Sequence, residues 1–428
     1  IPELFPHFPN RFATSFVVLT QLLNSPFTNS DTIGIIDPCL SASGGRVLGG
    51  NAMKRLICLL CVLLLLPLAA CGEDITDPTQ PPTDSLPVTS APETTPPLPT
   101  PTPAPAFYHP LTGVPCDEDL SGKKPVAVML NNLKNALPQQ GNGQADIIYE
   151  ALAEGGITRM LAVYQQPEPL GLIGSVRSAR QYFWEIAQGH DAVFIHAGGS
   201  PEFYNTKNSR GLFTVDGVNG YYSSRDAGMF WRDRDRVAGH HYDFEHSLLT
   251  SGQAIADMLA QRQLESHSGG YAYLMSFADD GTPAGGRPRQ SLHQPTPAGG
   301  SSAATVTVPF SSYKTGVFRY DQTNRTYLAE EYGQPYIDGN DGSQVAVTNL
   351  LVLQTSYVVL DNEGRVKMGL NSGSGWFACG GKIVPITWQK GGESSQFHYF
   401  NTDGSPLALG RGKSYVCIIP TSRSITAE

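Results

Sequence analysis

Residues 146–202 constrain the fold more than any other stretch of this 428-residue chain. They begin with two apolar runs on either side of Gly155 and Gly156. Paired glycines between apolar runs are typical of a β-hairpin, and they predict that 157–164 is its second strand. The stretch is therefore expected to begin with two antiparallel strands.

A helix and a further strand are predicted after the hairpin. Ser178 and Gln181 have the spacing of a capping box, in which the serine is the N-cap. The apolar periodicity that follows ends near Gly189. Residues 191–196 form a short apolar run that is typical of a buried strand. This strand–helix–strand order predicts a right-handed crossover between two parallel strands.

The next segment is predicted to bind an anion. The strand ends at Gly198 and Gly199. Ser200, Pro201 and Glu202 then provide the N-cap, the first-turn proline and the first-turn acid of a new helix. A glycine loop before a helix leaves backbone N–H groups free for an anion. No Lys-Ser/Thr pair follows the glycines, so nucleotide hydrolysis is not expected.

Basic side chains and a histidine complete the predicted site. Arg177 and Arg180 precede the first helix and are expected near the glycine loop, whereas Arg159 begins its strand and is harder to place. His196 ends the buried strand and would be the general base if the site catalysed a reaction. The predicted ligand-binding residues are therefore Arg159, Arg177, Arg180, His196, Gly198, Gly199 and Ser200.

Two alternatives to the anion site are open from the sequence. In the first, the glycines only form a tight turn, and the arginines pair with Glu150, Glu154 or Asp191. In the second, the protein is a hydrolase of envelope material that uses His196 with Glu150 or Glu202. Because no serine or cysteine nucleophile has a suitable spacing, binding is favoured over turnover and no catalytic residue is assigned.

The beginning of the chain predicts a lipoprotein. Residues 53–71 combine the basic pair Lys54 and Arg55, an apolar run and the small-residue sequence LAAC, a bacterial lipobox that ends in Cys71. Cys71 is expected to carry lipid and to become the first residue of the mature chain. The acyl chains would anchor the protein to the outer face of the cytoplasmic membrane, or to an outer membrane where the source has one.

The segments that flank the signal are predicted to have no fold of their own. Residues 1–52 show no periodic element and are interpreted as mistranslated upstream sequence, with a genuine cytoplasmic extension as the alternative. Residues 72–107 are dominated by Pro and Thr and cannot bury a core. They are therefore predicted to form a disordered, extended tether.

The folded body is predicted to be α+β, with two domains. Residues 108–278 alternate helical and strand patterns, as mixed α/β layers do. Residues 279–304 are rich in Gly, Pro and Ser and predict a linker. Residues 305–421 carry short apolar runs between turn signals and predict a mainly β domain, which is followed by a tail at 422–428.

Charge and cysteine content narrow the possible functions. The chain has a net charge of −9, which disfavours nucleic acid and polyanionic wall polymers as partners. No metal or other cofactor is predicted, because the ligand-rich run 240–246 lacks the spacing of a zinc site and is interpreted as a solvated loop. Cys379 and Cys417 could pair, but buried free thiols are favoured over a disulfide.

Several motifs together resemble the YerB-like lipoproteins. In the first domain they are KPVAVM at 124–129, QADIIYE at 144–150, EGGITR at 154–159, VRSAR at 176–180 and HAGGSP at 196–201. In the second they are GSG at 373–375, GK at 381–382, ITW at 386–388 and GK at 412–413. The resemblance implies a two-domain extracytoplasmic lipoprotein of unassigned biochemical function, and it supplies no catalytic residues.

Overall fold

The computed structural model describes residues 105–218, 228–283 and 299–428, which belong to a single unit of the chain, 97–428. The predictions for the extension 1–52, for the signal peptide with Cys71 and for most of the tether lie outside these residues. The same holds for positions 284–298 of the predicted linker.

The described chain is mostly β, with three α-helices. The first strands are β1 Phe107–Tyr108, β2 Pro115–Cys116, β3 Val126–Asn131, β4 Ile147–Leu152, β5 Thr158–Tyr164, β6 Leu172–Gly174, β7 Val193–His196, β8 Val215–Asp216, β9 Trp231–Arg232, β10 Leu248–Ser251 and β11 Phe277–Ala278. The later strands are β12 Ser301–Ser302, β13 Thr305–Pro309, β14 Thr315–Asp321, β15 Thr326–Glu331, β16 Gln334–Pro335, β17 Ala346–Val347, β18 Asn349–Thr355, β19 Tyr357–Val359, β20 Val366–Met368, β21 Ser372–Cys379, β22 Lys382–Lys390, β23 Phe397–Asn401, β24 Leu409–Gly410, β25 Ser414–Pro420 and β26 Thr426–Ala427. The helices are α1 Gln181–Gly189, α2 Pro201–Arg210 and α3 Gly252–Arg262.

One sheet of 11 strands organises the body. Its order is β12-β22-β21-β18-β25-β4-β5-β3-β7-β8, with β23 paired to β22. Strand β25 from the end of the chain pairs in parallel with both β18 and β4. The two predicted domains therefore share a continuous sheet. A separate sheet of six strands contains β13, β14 and β15.

The central strands are buried on both faces, which explains their almost continuous apolar sequences. On β4, Ile147 and Tyr149 pack into one core with Phe183 of α1 and Phe203 of α2. Ile148, on the opposite face, packs into a second core with side chains of β13–β15 and of α3. Because successive side chains of a strand point to opposite faces, each strand contributes to both cores.

The structure confirms the local predictions that depend on turn and cap chemistry. Strands β4 and β5 are antiparallel neighbours across the two predicted glycines. Helix α1 ends at Gly189, as expected. Ser200 is the N-cap of α2, and its Oγ accepts a hydrogen bond from Phe203 N at 3.3 Å. Pro201 is in the first turn, where the lack of an N–H has no cost.

The predicted capping box at Ser178 is wrong. Helix α1 begins at Gln181, and its N-cap is Arg180, whose side chain does not cap the helix. The preceding residues are extended instead, since Val176 bridges to Leu130 and Ala179 bridges to Gly199. Backbone pairing with a neighbouring strand and loop therefore determines the conformation of this segment, rather than the local capping pattern.

The predicted parallel crossover is also wrong. Strand β3 lies between β5 and β7, pairing antiparallel with β5 and parallel with β7. Strands β5 and β7 therefore run in opposite directions. The prediction failed because β3 comes from an earlier part of the chain and occupies the position between them.

The remaining features concern the linker, the thiols and the helices. Strand β12, near the end of the predicted linker, pairs with β22, and β11, which immediately precedes the linker, pairs with β24. Cys379 and Cys417 are free and buried. Within the described ranges, no helix has the length and apolar character needed to cross a membrane.

Candidate functional site

The structure brings the glycine loop and the arginine segment together. Ala179 N donates to Gly198 O at 2.9 Å, and Ser200 N donates to Ala179 O at 3.1 Å. Ala197 N donates to Arg177 O at 2.9 Å. The two segments thus lie side by side at one edge of the central sheet, as the sequence predicted.

The N–H group of Gly198 is not, however, free for an outside ligand. Gly198 N donates to Oδ1 of Asp216 at 2.9 Å, and the Tyr204 hydroxyl donates to Oδ2 of the same carboxylate at 2.7 Å. Lys207 Nζ lies 3.8 Å from Asp216 Oδ2. A carboxylate of the chain itself therefore occupies the position where the sequence predicted an external anion. Gly198 N is therefore not available to an external anion, while the assignment of Gly199 as a ligand-binding residue stays a prediction.

His196 is a core residue and is poorly placed to act as a base. Its side chain has no exposed surface. Nδ1 lies 2.8 Å from Gly198 O, and Nε2 lies 2.9 Å from Thr214 Oγ1. Burial lowers the pKa of His196 from 6.5 to about 4, so the ring is neutral near pH 7. Both ring nitrogens are engaged within the protein.

Glu154 holds two of the predicted arginines. It lies in the hairpin turn, where Gly155 and Gly156 adopt φ values of 56° and 82° that side chains other than glycine rarely allow. Arg159 Nη2 donates to Glu154 Oε1 at 2.5 Å, and Arg180 Nη2 donates to Glu154 Oε2. The sequence left open that the arginines pair with nearby acids. The structure shows this pairing for Arg159 and Arg180, which both contact Glu154.

The arginine cluster nevertheless keeps an excess of positive charge. Arg159 and Arg180 are only 6% and 7% exposed and share the single carboxylate of Glu154. Burial, followed by repulsion from Arg180, lowers the pKa of Arg159 to about 9. Arg177 points elsewhere, since its Nη1 donates to Glu245 O at 2.6 Å. Of the three predicted arginines, Arg180 is the one that lines the cavity described next.

Arg180 lines a cavity of about 430 Å³. The starts of α1 and α2 open into it through Gln181 and Ser200. The opposite wall comes from the hairpin of β19 and β20, with Lys367 and Met368. Arg180 Nε has no hydrogen-bond acceptor among the residues that the structure describes. Of the seven predicted residues, Arg180 and Ser200 line this cavity.

The cavity wall carries charges of both signs. Arg210 forms an ion pair with Glu393, so these two groups largely neutralise each other. Burial raises the pKa of Glu185, whose Oε1 accepts a hydrogen bond from Gln181. Glu202 lies in the first turn of α2 and is 4.0 Å from Arg365. The positive side of the cavity thus consists of Arg180, the helix starts and Lys367.

Sequence reasoning missed Asp216 and the β19–β20 hairpin. The hairpin lies in the other half of the chain from Arg180, and no local pattern links the two. Asp216 follows an apolar residue at the end of a two-residue strand, which is too short to be recognised from periodicity. One general argument could have found Asp216. A partly buried backbone N–H such as that of Gly198 needs an acceptor, and nearby acidic side chains are candidates for that acceptor.

The ligand-rich run 240–246 does not converge on a metal site. His246 is buried and its Nδ1 lies 2.9 Å from Asn131 Nδ2. His241 is exposed and lies 2.7 Å from Asp235 Oδ1. Among the described residues, no group of three or more His, Cys, Asp or Glu side chains is arranged to hold a metal ion.

Comparison with protein families assigns both halves of the chain. Residues 111–265 match the N-terminal domain of a protein family of unknown function (DUF3048), and residues 306–416 match its C-terminal domain. The chain belongs to the DUF3048 family.

Similarity to a protein of Bacillus subtilis supports the resemblance seen in the sequence. The chain is 29% identical over 327 residues to the "Putative lipoprotein YerB" of Bacillus subtilis (strain 168), which covers 73% of this chain and 86% of that protein. It also matches the crystal structure of the YerB protein from Bacillus subtilis with a TM-score of 0.60 and 26% identity. That match covers 75% of this chain and 99% of the crystallised one. The predicted membership of a YerB-like two-domain family is confirmed.

Proposed function

We propose that this DUF3048 protein is a membrane-anchored extracytoplasmic lipoprotein that binds an anionic group of an envelope ligand. The lipobox at Cys71 supports the anchor, and the name of the Bacillus subtilis relative describes that protein as a lipoprotein. Two or more acyl chains on Cys71 would hold the protein stably at the outer face of the membrane. The tether 72–107 would separate the binding body from the lipid surface.

The observation that carries the binding proposal is the cavity between α1, α2 and the β19–β20 hairpin. Each helix start contributes roughly +0.5 of a charge. At the start of α2 this contribution comes mainly from the helix dipole, because Pro201 has no N–H and Phe203 N already donates to Ser200 Oγ. Arg180 adds a guanidinium that is held in place by Glu154 and is almost completely buried. A positive group that is already desolvated and fixed loses little entropy when it binds an anion.

Charges of the cavity indicate where the anionic group would lie. It would approach Arg180, Gln181 and the start of α2, which form the positive side of the cavity. Glu393 would not repel it, because the ion pair with Arg210 already neutralises that carboxylate. Lys367 would contact it from the hairpin side. Glu202 opposes this binding, since its carboxylate competes for the same helix start.

The residues that line the cavity support binding without turnover. Ser200 Oγ accepts a hydrogen bond from Phe203 N, as a helix cap does. His196 is not among the lining residues, and its ring nitrogens contact Gly198 and Thr214. No observation favours the hydrolase that the sequence left open.

The test is isothermal titration of the full chain in detergent micelles. The probes are inorganic phosphate, a glycerol phosphate oligomer and a soluble muropeptide that carries carboxylates. We expect heat of binding from at least one probe. Arg180→Gln should reduce its affinity by about tenfold or more, since hydrogen bonds to charged groups contribute about 1.5–3 kcal/mol.

Two further variants make the test specific for this cavity. Lys367→Met should weaken binding without touching the Glu154 cluster, and Glu202→Gln should strengthen it by about two- to fivefold. Arg319→Gln is the matched control, because Arg319 is an exposed, ion-paired arginine on β14, outside the cavity. Absence of heat with every probe, or equal affinities for Arg180→Gln and Arg319→Gln, would refute the proposal.

A further inference from the structure

A second charged cluster is buried on the opposite face of the central sheet. Glu150 of β4 and Lys314 have no exposed surface, and Glu331 at the end of β15 is 1% exposed. Lys314 Nζ lies 3.1 Å from Glu150 Oε1 and is in contact with Glu331 Oε2. None of these residues lines the anion cavity, so that cavity and the function proposed for it leave this cluster unexplained.

The two carboxyl groups of this cluster have different surroundings. Glu150 Oε1 accepts hydrogen bonds from Asn132 Nδ2 at 2.7 Å and from Thr158 Oγ1 at 2.6 Å. Glu150 Oε2 accepts from the Tyr415 hydroxyl at 2.6 Å. Apart from its contact with Lys314, Glu331 Oε2 has no hydrogen-bond partner within the described ranges. In the same part of the chain, Glu331 Oε1 accepts only a longer hydrogen bond, from the Tyr415 hydroxyl at 3.5 Å. Glu150 thus accepts three short hydrogen bonds, whereas the main contact of Glu331 is with Lys314.

Full ionisation of this cluster is unfavourable. Two carboxylates and one ammonium would place three charges in a fully buried site, and buried charge is costly unless it is paired and hydrogen-bonded. Burial also lowers the pKa of Lys314, which favours its neutral amine. A neutral amine beside a neutral carboxyl group, with Glu150 ionised, has the same net charge but leaves one buried charge instead of three.

We propose that Lys314 and Glu331 are joined by an isopeptide bond that forms after folding. Lys314 Nζ attacks Cδ of the protonated Glu331 carboxyl group, so that a C–N bond forms. The C–OH bond of Glu331 then breaks. The carboxylate of Glu150 takes a proton from the attacking nitrogen and passes it to the departing hydroxyl group, which leaves as water. Glu150 ends as it began, and no oxidant or other reactant is needed.

The fold provides the conditions for this reaction. Strands β14 and β15 pair with Gly316 opposite Glu331, which holds Lys314, two residues before Gly316, at the same end of the hairpin. Lys314 Nζ also lies 5.0 Å from the ring centre of Tyr332 and 5.7 Å from that of Phe310. Two groups fixed in contact react as if at very high concentration. Because Lys314 and Glu331 are buried, bulk water that would reverse the reaction has little access to them.

Peptide mapping of the full chain tests the proposal directly. After denaturation, trypsin should not cleave after a Lys314 whose amine is in an amide bond. We expect residues 290–319 to be recovered covalently joined to residues 326–365, with a mass lower than the sum of the two peptides by one water. Tandem mass spectra should place the link at Lys314 and Glu331.

Recovery of 290–314, 315–319 and 326–365 as separate peptides of unmodified mass would overturn the proposal. This measurement needs only the parent protein, so a failure of any variant to fold does not affect it. Titration of the anion cavity is independent of it, and either proposal can fail alone.

Two variants then test the assigned roles. Lys314→Met should abolish the joined peptide, while Lys367→Met, a change at the cavity wall, should leave it at the parent level. Glu150→Gln keeps the side-chain shape but removes the proton acceptor, so a folded Glu150→Gln protein should contain at least tenfold less of the joined peptide. An undiminished yield in that variant would overturn the role of Glu150.

Discussion

Replacing Asp216 by alanine should create the vacant anion site that the sequence predicted at Gly198. In the parent protein, the Asp216 carboxylate accepts hydrogen bonds from Gly198 N at 2.9 Å and from the Tyr204 hydroxyl at 2.7 Å. Hydrogen bonds to charged groups contribute about 1.5–3 kcal/mol each. The Asp216 side chain is 15% exposed, so water replaces part of this loss. We expect Asp216→Ala to lower the free energy of unfolding by about 3 kcal/mol.

A small external carboxylate should restore part of this stability. Acetate can accept the same two hydrogen bonds, and a ligand at ten times its Kd stabilises the native state by about 1.4 kcal/mol. The assay is urea unfolding of parent and variant with increasing sodium acetate, and sodium chloride at equal ionic strength serves as the reference. The free energy of unfolding should rise with acetate in the variant alone.

Asp403→Ala provides a matched control. Asp403 also accepts one backbone and one hydroxyl hydrogen bond, from Ser405 N at 2.9 Å and Ser405 Oγ at 2.6 Å, but both are exposed. Its replacement should lower the free energy of unfolding much less than Asp216→Ala does, because water satisfies the released donors. If Asp216→Ala costs no more than this control, or if acetate stabilises parent and variant equally, Asp216 is not the anion of the glycine loop.

Two other predictions concern the anchor and the buried histidine. Cys71→Ser should move the protein from the membrane fraction to the soluble one and abolish lipid labelling, and unlabelled protein that stays with the membrane would contradict the lipobox assignment. His196 has a pKa of about 4 in the folded state against 6.5 ordinarily, so the unfolded chain takes up the proton first as the pH falls. Its contribution to stability is therefore complete above about pH 6.5 and is lost between there and pH 4, by at most about 3 kcal/mol. Urea titrations of His196→Gln should show a weaker pH dependence across this window than those of the parent, and identical slopes would exclude the effect.

Parts of this fold that depend on neighbouring residues could be predicted from the sequence. The hairpin at Gly155 and Gly156 needs positive φ values that glycine supplies, and the start of α2 needs the Ser200 cap and Pro201. Both features were predicted correctly because the responsible atoms lie within a few residues of each other. The charged cluster of Glu154 and Arg180 joins residues 26 positions apart and could be named only as one of several pairings.

Parts that depend on distant residues could not be predicted in this way. The sequence around Ser178 satisfies a capping box, yet its backbone pairs with the glycine loop, and these bonds replace the helical ones. The relative direction of β5 and β7 is set by β3, which precedes both and contains no signal for its place in the sheet. Strand β25 joins β4 from the far end of the chain, so the shared sheet could not be seen from either half alone.

The candidate site shows why a pattern that suits an anion does not by itself indicate a ligand. A glycine loop and a set of arginines create positive potential. Buried positive groups need a partner in the folded protein, and acidic side chains of the same chain can supply it. Asp216 balances the loop, and Glu154 balances two arginines incompletely. What is left for a ligand is the excess: Arg180 and two helix starts, facing a cavity that the second half of the chain closes. The site is therefore better defined by the charge that remains unbalanced after folding than by the residues that first suggested it.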